Sequence, residues 1–356
     1  MNMAGQFELG SKHIECMKLA NQNISEIQDT HTKEIAKKML AKTYGFLPSE
    51  SQVYDDYLGL SVAMEEIAKV SPGVASVLAD QVLLREIIKV YGNNNANAVL
   101  SSKETIGILC CESGLASISN ISTKAVRNNG QWTIKGSKQI NNEQLLSENY
   151  LIFAQDEEGL IRLFVIPEDQ INIDIINKNI ASTKISLSNA VIDVVVNDNA
   201  HIGVINDEFE YVQTVARTLI AATSVGIAHS SLITSIGVAK EVRNDDGQAI
   251  SSSQNMQFTL ADMFAEIEAS RMLTYFSANS IDENKASIKL ATMAKVKASD
   301  IAAKSSVDVL HILGNIGYLS NTDFANVVLR AVDNQVKGGT NRTQMSKIYQ
   351  YMLAKK

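Results

Sequence analysis

Apolar residues recur at helical spacing from about Gln6 to Gly107. Ile14, Met17 and Leu19 form one group, and Ile35, Met39 and Leu40 a second. Val62 and Ile67 follow, then a run opened by Pro72 that carries Val74, Val77, Leu78, Leu83 and Ile87. Proline suits a first helical turn, where its missing amide would have no partner in any case. The Tyr91-Gly92-Asn93-Asn94-Asn95 cluster stops the helix.

At Ile106 the period changes to two. Short alternating runs follow: Trp132-Thr133-Ile134, Leu151-Ile152-Phe153, Leu163 to Ile166, Ile171 to Ile175, and Val194-Val195-Val196. Asn129-Gly130, lying between two such runs, predicts a type I′ hairpin, because both central residues of that turn need positive φ. From Asp207 the period is helical again, over Phe209 to Val242, Gln254 to Asn279, Ile288 to Leu313, Asp323 to Val336 and Arg342 to Leu353. The first and third of these are apolar nearly all round, which suits burial in a bundle or at a subunit interface. The pattern predicts an α+β multi-domain chain: a helical N-terminal domain over residues 1–106, a middle β-barrel over 107–206 and a C-terminal four-helix bundle over 207–356.

Composition adds little to this picture. The 356 residues are 45% hydrophobic and 20% charged, enough for a sizeable core. A net charge of -7, scattered along the chain, argues against nucleic acid and against a polybasic membrane patch. Cys16 and the adjacent Cys110 and Cys111 fit neither a disulfide framework nor a metal-ligand spacing, and read as reduced thiols. No uninterrupted apolar run reaches the ~18 residues of a membrane span, so the expectation is a soluble cytoplasmic protein without a bound metal.

Candidate chemistry gathers near the C-terminus. Gly314 to Tyr318 and Lys337-Gly338-Gly339-Thr340 break the helices, and glycine at such points lets backbone approach a ligand. Thr340 stands where a helix N-terminus offers amides and a hydroxyl to an anionic oxygen, although on spacing alone the two glycine breaks read first as plain helix caps. Arg243 can pair with a pyrophosphate as a bidentate cation or stand as a solvated helix-end charge. His311, beside Val307, Leu310 and Leu313, reads as a hydrogen-bonded core histidine.

Several motifs in order resemble the acyl-CoA dehydrogenase flavoprotein family over nearly the whole chain. Tyr91-Gly92 is similar to the phenylalanine-glycine that ends the family's N-terminal domain. Cys111-Glu112-Ser113-Gly114-Leu115-Ala116-Ser117 stands where the family has its Thr-Glu-Pro-Gly-Ala-Gly-Ser loop, and Trp132 to Lys138 is similar to its Leu-Asn-Gly-Thr-Lys strand. Arg243, Gly247, Gln254 and Leu260-Ala261-Asp262-Met263 resemble the next run. His311 to Tyr318 resembles Gln-Ile-Leu-Gly-Gly-x-Gly-Tyr, and Gly339-Thr340 the Gly-Thr after the catalytic position.

The resemblance implies FAD held by Cys111, Ser117, Asn142, Arg243, Gln254, His311, Gly314 and Thr340. It also implies an acyl thioester substrate on coenzyme A or a carrier protein, an electron-transfer flavoprotein as partner, and a dimer or tetramer with the flavin across a subunit interface. In this family a carboxylate removes the α-proton while the flavin takes the β-hydride. The two places where the family keeps that carboxylate correspond to Gly338 and to Ala216, the latter just before Arg217. Glu112 and Asp246 are the nearest carboxylates by motif, and both read as exposed loop residues. Other flavin positions also depart from the family: Ile140 replaces an aromatic, Asp246 a phenylalanine, Asn315 a glycine, and Leu329-Arg330 an Arg-Asp pair. The resemblance therefore leaves three readings open: an oxidoreductase with an unidentified base, a non-catalytic partner subunit of an active homologue, or a flavin oxygenase or reductase.

Overall fold

The computed structural model describes residues 56–93, 106–112, 121–141, 147–174, 187–314, 317 and 324–353, together with residues 14, 17, 18 and 20. They divide between two compact units. One takes residues 42–76 and 213–356 besides the first 29; the other takes 77–212 besides 30–41.

The first unit is helical. Its elements are α1 (Tyr57–Val70), the start of α2 (Pro72–Tyr91), α3 (Phe209–Glu241), α4 (Gln254–Asp282), α5 (Ile288–Leu313), α6 (Phe324–Val336) and α7 (Asn341–Leu353). The helices expected from Val62 onward are present within a few residues at each end, and the expected group of Ile35, Met39 and Leu40 lies outside the described residues. α1 starts where the Asp56 carboxylate accepts from Gly59 N at 2.9 Å. The Asp282 carboxylate, at the end of α4, accepts from the amides of Tyr57 and Leu58 at 2.6 and 2.9 Å. Two carboxylates thus satisfy amides that a helix start leaves without partners, and they oppose its dipole.

Every residue of α1 from Tyr57 to Ala68 is buried, polar ones included. The burial of Glu65 is answered from α4. The Arg271 guanidinium meets both its oxygens, Nε at 2.9 and 3.1 Å, and Tyr275 Oη donates at 2.8 Å. Arg271 also bonds Glu268, and it donates to His229 Nδ1 on α3 at 2.7 Å, which puts the histidine proton on Nε2. Burial, then the charges of Lys69 and Arg271, lower the His229 pKa and keep it neutral. α1 crosses α3 at Gly226, where a Cβ would come within 2.6 Å of Ala68 Cβ and would also strike the Glu65 carbonyl.

The second unit is a sheet with the later part of α2 against it. Its strands are β1 (Ile106–Leu109), β2 (Lys124–Asn128), β3 (Gln131–Asn141), β4 (Asn149–Gln155), β5 (Ile161–Pro167), β6 (Asn172–Asp174), β7 (Leu187–Asn197) and β8 (His201–Val204). The order is β6-β7-β3-β2-β4-β5-β8, with β1 parallel to β4. Asn129 and Gly130 take φ of 51° and 78°, as a type I′ hairpin between β2 and β3 requires. β3 and β7 pair antiparallel through all eleven residues of each, and the two halves of the sheet join at Lys124 and Gln155. Inside pack Trp132, Ile134, Ile140, Tyr150, Ile152, Phe164 and Ile192. The Gln81 side chain docks α2 onto β1, donating to Ile106 O at 2.6 Å and accepting from Ile106 N at 3.2 Å.

The α1–α3 crossing has a direct test in two glycines of one helix. Gly226→Ala should destabilise the protein by about 1–3 kcal/mol through overpacking. Gly237→Ala, whose Cβ would meet nothing within 4 Å, should stabilise it by about 0.5–1 kcal/mol. Urea midpoints that move in the same direction for both would contradict the close crossing.

Candidate functional site

The turn between α6 and α7 is built from glycine: Gly338 and Gly339 take φ of 66° and 95°, which side chains resist. Two buried cations grip it. The Lys295 ammonium, fully buried on α5, donates to Gln335 O at 3.0 Å, Gly339 O at 2.9 Å and Asn341 Oδ1 at 2.7 Å. Those oxygens take all three protons of its ammonium form, so Lys295 clamps the end of α6. Burial, then the charge of Arg217, bring its pKa down to about 7 against the opposing charge of Asp300.

Arg217, on α3 and buried, donates from Nη1 to Thr292 Oγ1 at 2.9 Å and from Nη2 to Gln213 Oε1 at 3.2 Å. Its Nε stands 3.5 Å from Gly338 O, at the outer limit of a bond, and Gln344 Nε2 donates to that same carbonyl at 3.1 Å. A Cβ on residue 338 would lie 3.0 Å from Ile220 Cδ1 and 3.7 Å from Arg217 Cγ. Position 338 therefore abuts the very arginine that follows Ala216. Thr340 is exposed and caps α7, its hydroxyl accepting from Thr343 N at 3.3 Å.

A second group lies at another level of the same helices. Arg243 is exposed just past α3, bridging Ala249 across a turn that contains Gly247 at φ 75° and the exposed Asp246. Gln254, also exposed, is the first residue of α4, with Ser253 as its cap. Ion pairs of Lys297 with Glu266 and of Lys304 with Asp262, the latter 3.6 Å, fix α4 and α5 antiparallel. Continued along α5, that register brings His311 level with the first turn of α4. Gly314, at φ 60° and with open space where a Cβ would stand, caps α5 one turn on. Arg243, Gln254, His311 and Gly314 thus share one end of the bundle. Lys295 and the turn it clamps lie sixteen residues back along α5, about 24 Å at the helical rise.

His311 is exposed, which corrects its reading as a core histidine. The buried face of α5 here carries Ser305, Ser306, Val309 and Leu310. His311 lies one turn on from Val307, which is itself 37% exposed.

The sheet unit holds the remaining candidates. Ser117 and Asn142 lie outside the described residues. Cys111 is exposed at the end of β1, its carbonyl accepting from Gln139 N at 2.8 Å. Glu112 is buried, which corrects its reading as a loop carboxylate at the surface. One oxygen accepts from Lys138 Nζ and Thr123 Oγ1, both at 2.6 Å, and from Thr123 N at 3.1 Å. The other accepts from Ser122 N and Oγ, each at 2.6 Å. Gly136 lets this happen: a Cβ there would come within 2.7 Å of Thr123 Cα. Burial by itself would raise the Glu112 pKa, but the Lys138 ammonium and the Ser122 and Thr123 donors outweigh it and hold the carboxyl at about 2. Such a group stays ionised and is a poor proton acceptor near neutrality.

Sequence reasoning passed over Lys295 and Lys138, although phase marks both. Lys295 falls among Ala291, Ala294, Ala298 and Ala302 on the buried face of α5. Lys138 alternates with Ile134 and Ile140 on the inner face of β3.

A family model described as acyl-CoA dehydrogenase, C-terminal domain, matches residues 210–353. An acyl-CoA dehydrogenase of Bacillus subtilis is 27% identical over 320 residues, covering 84% of this chain and 83% of that protein. The CarC subunit of the caffeyl-CoA reductase-Etf complex of Acetobacterium woodii is 26% identical over 318 residues, again with 84% and 83% covered. The solved structure of butyryl-CoA dehydrogenase from Megasphaera elsdenii has the same fold, at TM-score 0.85 and 24% identity, with 98% of this chain and 100% of that one covered. Over most of its length the chain is similar to acyl-CoA dehydrogenases; residues 210–353 match that family's C-terminal domain, and the fold is theirs.

Within this acyl-CoA dehydrogenase fold the two ion-held features make separate predictions. Glu112→Gln strands a buried ammonium and should cost about 3–5 kcal/mol at neutral pH. The contribution of the Glu112 charge is complete above the ordinary glutamate value of 4.5 and is lost as pH falls toward about 2. Urea midpoints of wild type and variant should therefore converge below pH 4.5, and a gap that stays constant would contradict the assignment. Lys295→Met leaves three acceptors without their donor, each worth about 1–3 kcal/mol. Trypsin should then cut the Lys337–Gly338 bond faster than in wild type; an unchanged rate in a folded variant would remove the clamp.

Proposed function

We propose that this chain is a flavin-dependent oxidoreductase that holds FAD between two copies of itself and acts on an acyl thioester of coenzyme A or a carrier protein. The observation that carries the reading is the ~24 Å separation along α5 between the two groups of candidate flavin residues. A single extended cofactor reaching both groups then takes one from each of two chains.

The residues present suit FAD. Arg243 and Gln254 are exposed donors for a pyrophosphate and its neighbouring groups, Gly314 leaves backbone open to close approach, and Thr340 offers a hydroxyl at a helix start. Cys111, Ser117 and Asn142 are the candidates in the sheet unit. When bound, the flavin supplies the electron sink. A second copy has a surface to meet: α4 leaves Phe258 65%, Phe264 43%, Met272 40% and Phe276 50% exposed. Kinship with a subunit named as part of an Etf complex supports an electron-transfer flavoprotein as the acceptor.

A second reading rests on the α6–α7 turn. With positive φ at 338 and Ile220 3.0 Å from where a Cβ would stand, the turn is made for glycine, and Ala216 offers no carboxylate either. A chain without a base at either place serves as a partner subunit, or runs flavin chemistry that needs no α-proton transfer.

Purified protein mixed with FAD separates these readings. Visible flavin bands that survive dialysis are expected, and their absence favours the partner-subunit reading. Saturated acyl-CoA should bleach those bands faster in Ala216→Glu, which sets a carboxylate on regular helix free of the strain at 338. A flavin-loaded Ala216→Glu that bleaches no faster than wild type would argue against a dehydrogenation site that lacks only its base.

A further inference from the structure

The adjacent thiols Cys110 and Cys111 take no part in the clamp or the helical site. Their sulfurs stand 3.7 Å apart at the end of β1, Cys111 exposed and Cys110 half-buried. We propose that Cys110 and Cys111 form a two-sulfur site for a trivalent arsenical, a thiophilic centre with one carbon substituent and two exchangeable oxygen bonds.

The distance decides between the reactions open to adjacent thiols. A disulfide needs its sulfurs at about 2.05 Å and its Cα atoms at about 4.4–6.8 Å. Neighbouring Cα atoms on a trans peptide are about 3.8 Å apart, so closing that bond strains the backbone. One centre bound to both sulfurs needs no such closure. At bond lengths of about 2.3 Å and the pyramidal angles of about 95–100° that a lone pair imposes on trivalent arsenic, its two sulfurs stand about 3.4–3.5 Å apart, within a few tenths of an ångström of the 3.7 Å already present.

The ligand count decides the class. A thiophilic metal ion asks for about four donors, and among the described residues no group of three or more His, Cys, Asp and Glu side chains is placed to hold one. An arsenical that keeps its carbon substituent asks for two.

The bond to the Cys111 sulfur, then burial, push the Cys110 thiol well up, and the charge of Lys138 opposes them. The Cys110 sulfur is therefore held as a thiol until an electrophile bridges the pair. Two S–As bonds form and the As–O bonds break. Both thiol protons leave on the oxygen as water, and no electrons are transferred.

The test uses the full chain without added FAD, for which Cys111 is itself a candidate contact, and phenylarsine oxide, read by intact mass. Wild type and Cys16→Ser should each take up one phenylarsenic group and keep it against excess 2-mercaptoethanol, releasing it to a small dithiol. Cys110→Ser and Cys111→Ser should each retain it about a hundredfold more weakly, since each loses the second, intramolecular attachment. Cys111 is exposed, so its serine variant folds and keeps the comparison valid even if Cys110→Ser does not. Equal retention by Cys111→Ser, or loss of retention in Cys16→Ser, would overturn the proposal.

Discussion

The fixed rise of an α-helix governs what this chain does with its polar residues. α5 is 26 residues long and buried along much of its length, so the group near Lys295 and the group near His311 cannot draw together. Everything proposed for the flavin follows from that separation. In the proposed reading a cofactor that needs both kinds of contact is shared between two copies, and the exposed aromatic residues of α4 are the face proposed for the second copy.

Buried charge is the second theme, and it takes the same form in both units. In the helical unit Glu65 is buried against Arg271 and Tyr275, and Lys295 against carbonyl oxygens at the end of α6. In the sheet unit Glu112 is buried against Lys138 and two hydroxyls. None of these groups has the exposure of a working acid or base. They fix strand and helix ends in place, and mispairing any of them leaves a buried charge uncompensated, which is costly. The position next to Arg217 is held with equal firmness yet carries no side chain beyond glycine.

Much of the fold was legible in the sequence because period reports local burial. The limits of α3, α4 and α5 follow from where apolar residues stop recurring at three and four, and the Asn129-Gly130 turn follows from backbone sterics alone. The close crossing of α1 with α3 was not legible, because Gly226 looks like any helix glycine until the segment that presses on it is known. The same holds for Lys295, whose partners lie forty and more residues away, and for Glu112, which a motif placed on a loop and packing placed inside. His311 misled because Val307 was taken as buried; an apolar residue one turn away shares a face but does not say which way that face points.

Sharing of the flavin between copies can be measured by complementation. One variant, Arg243→Ala with Gln254→Ala, disables the first group; another, Lys295→Met with Thr340→Val, disables the turn. If two chains build each site, neither variant binds FAD alone, and co-expressed chains recover flavin at about one site in four, the fraction expected for random pairing in a two-fold dimer. Mixed chains that stay colourless while wild type is yellow, or flavin retained in full by either variant alone, would contradict the account.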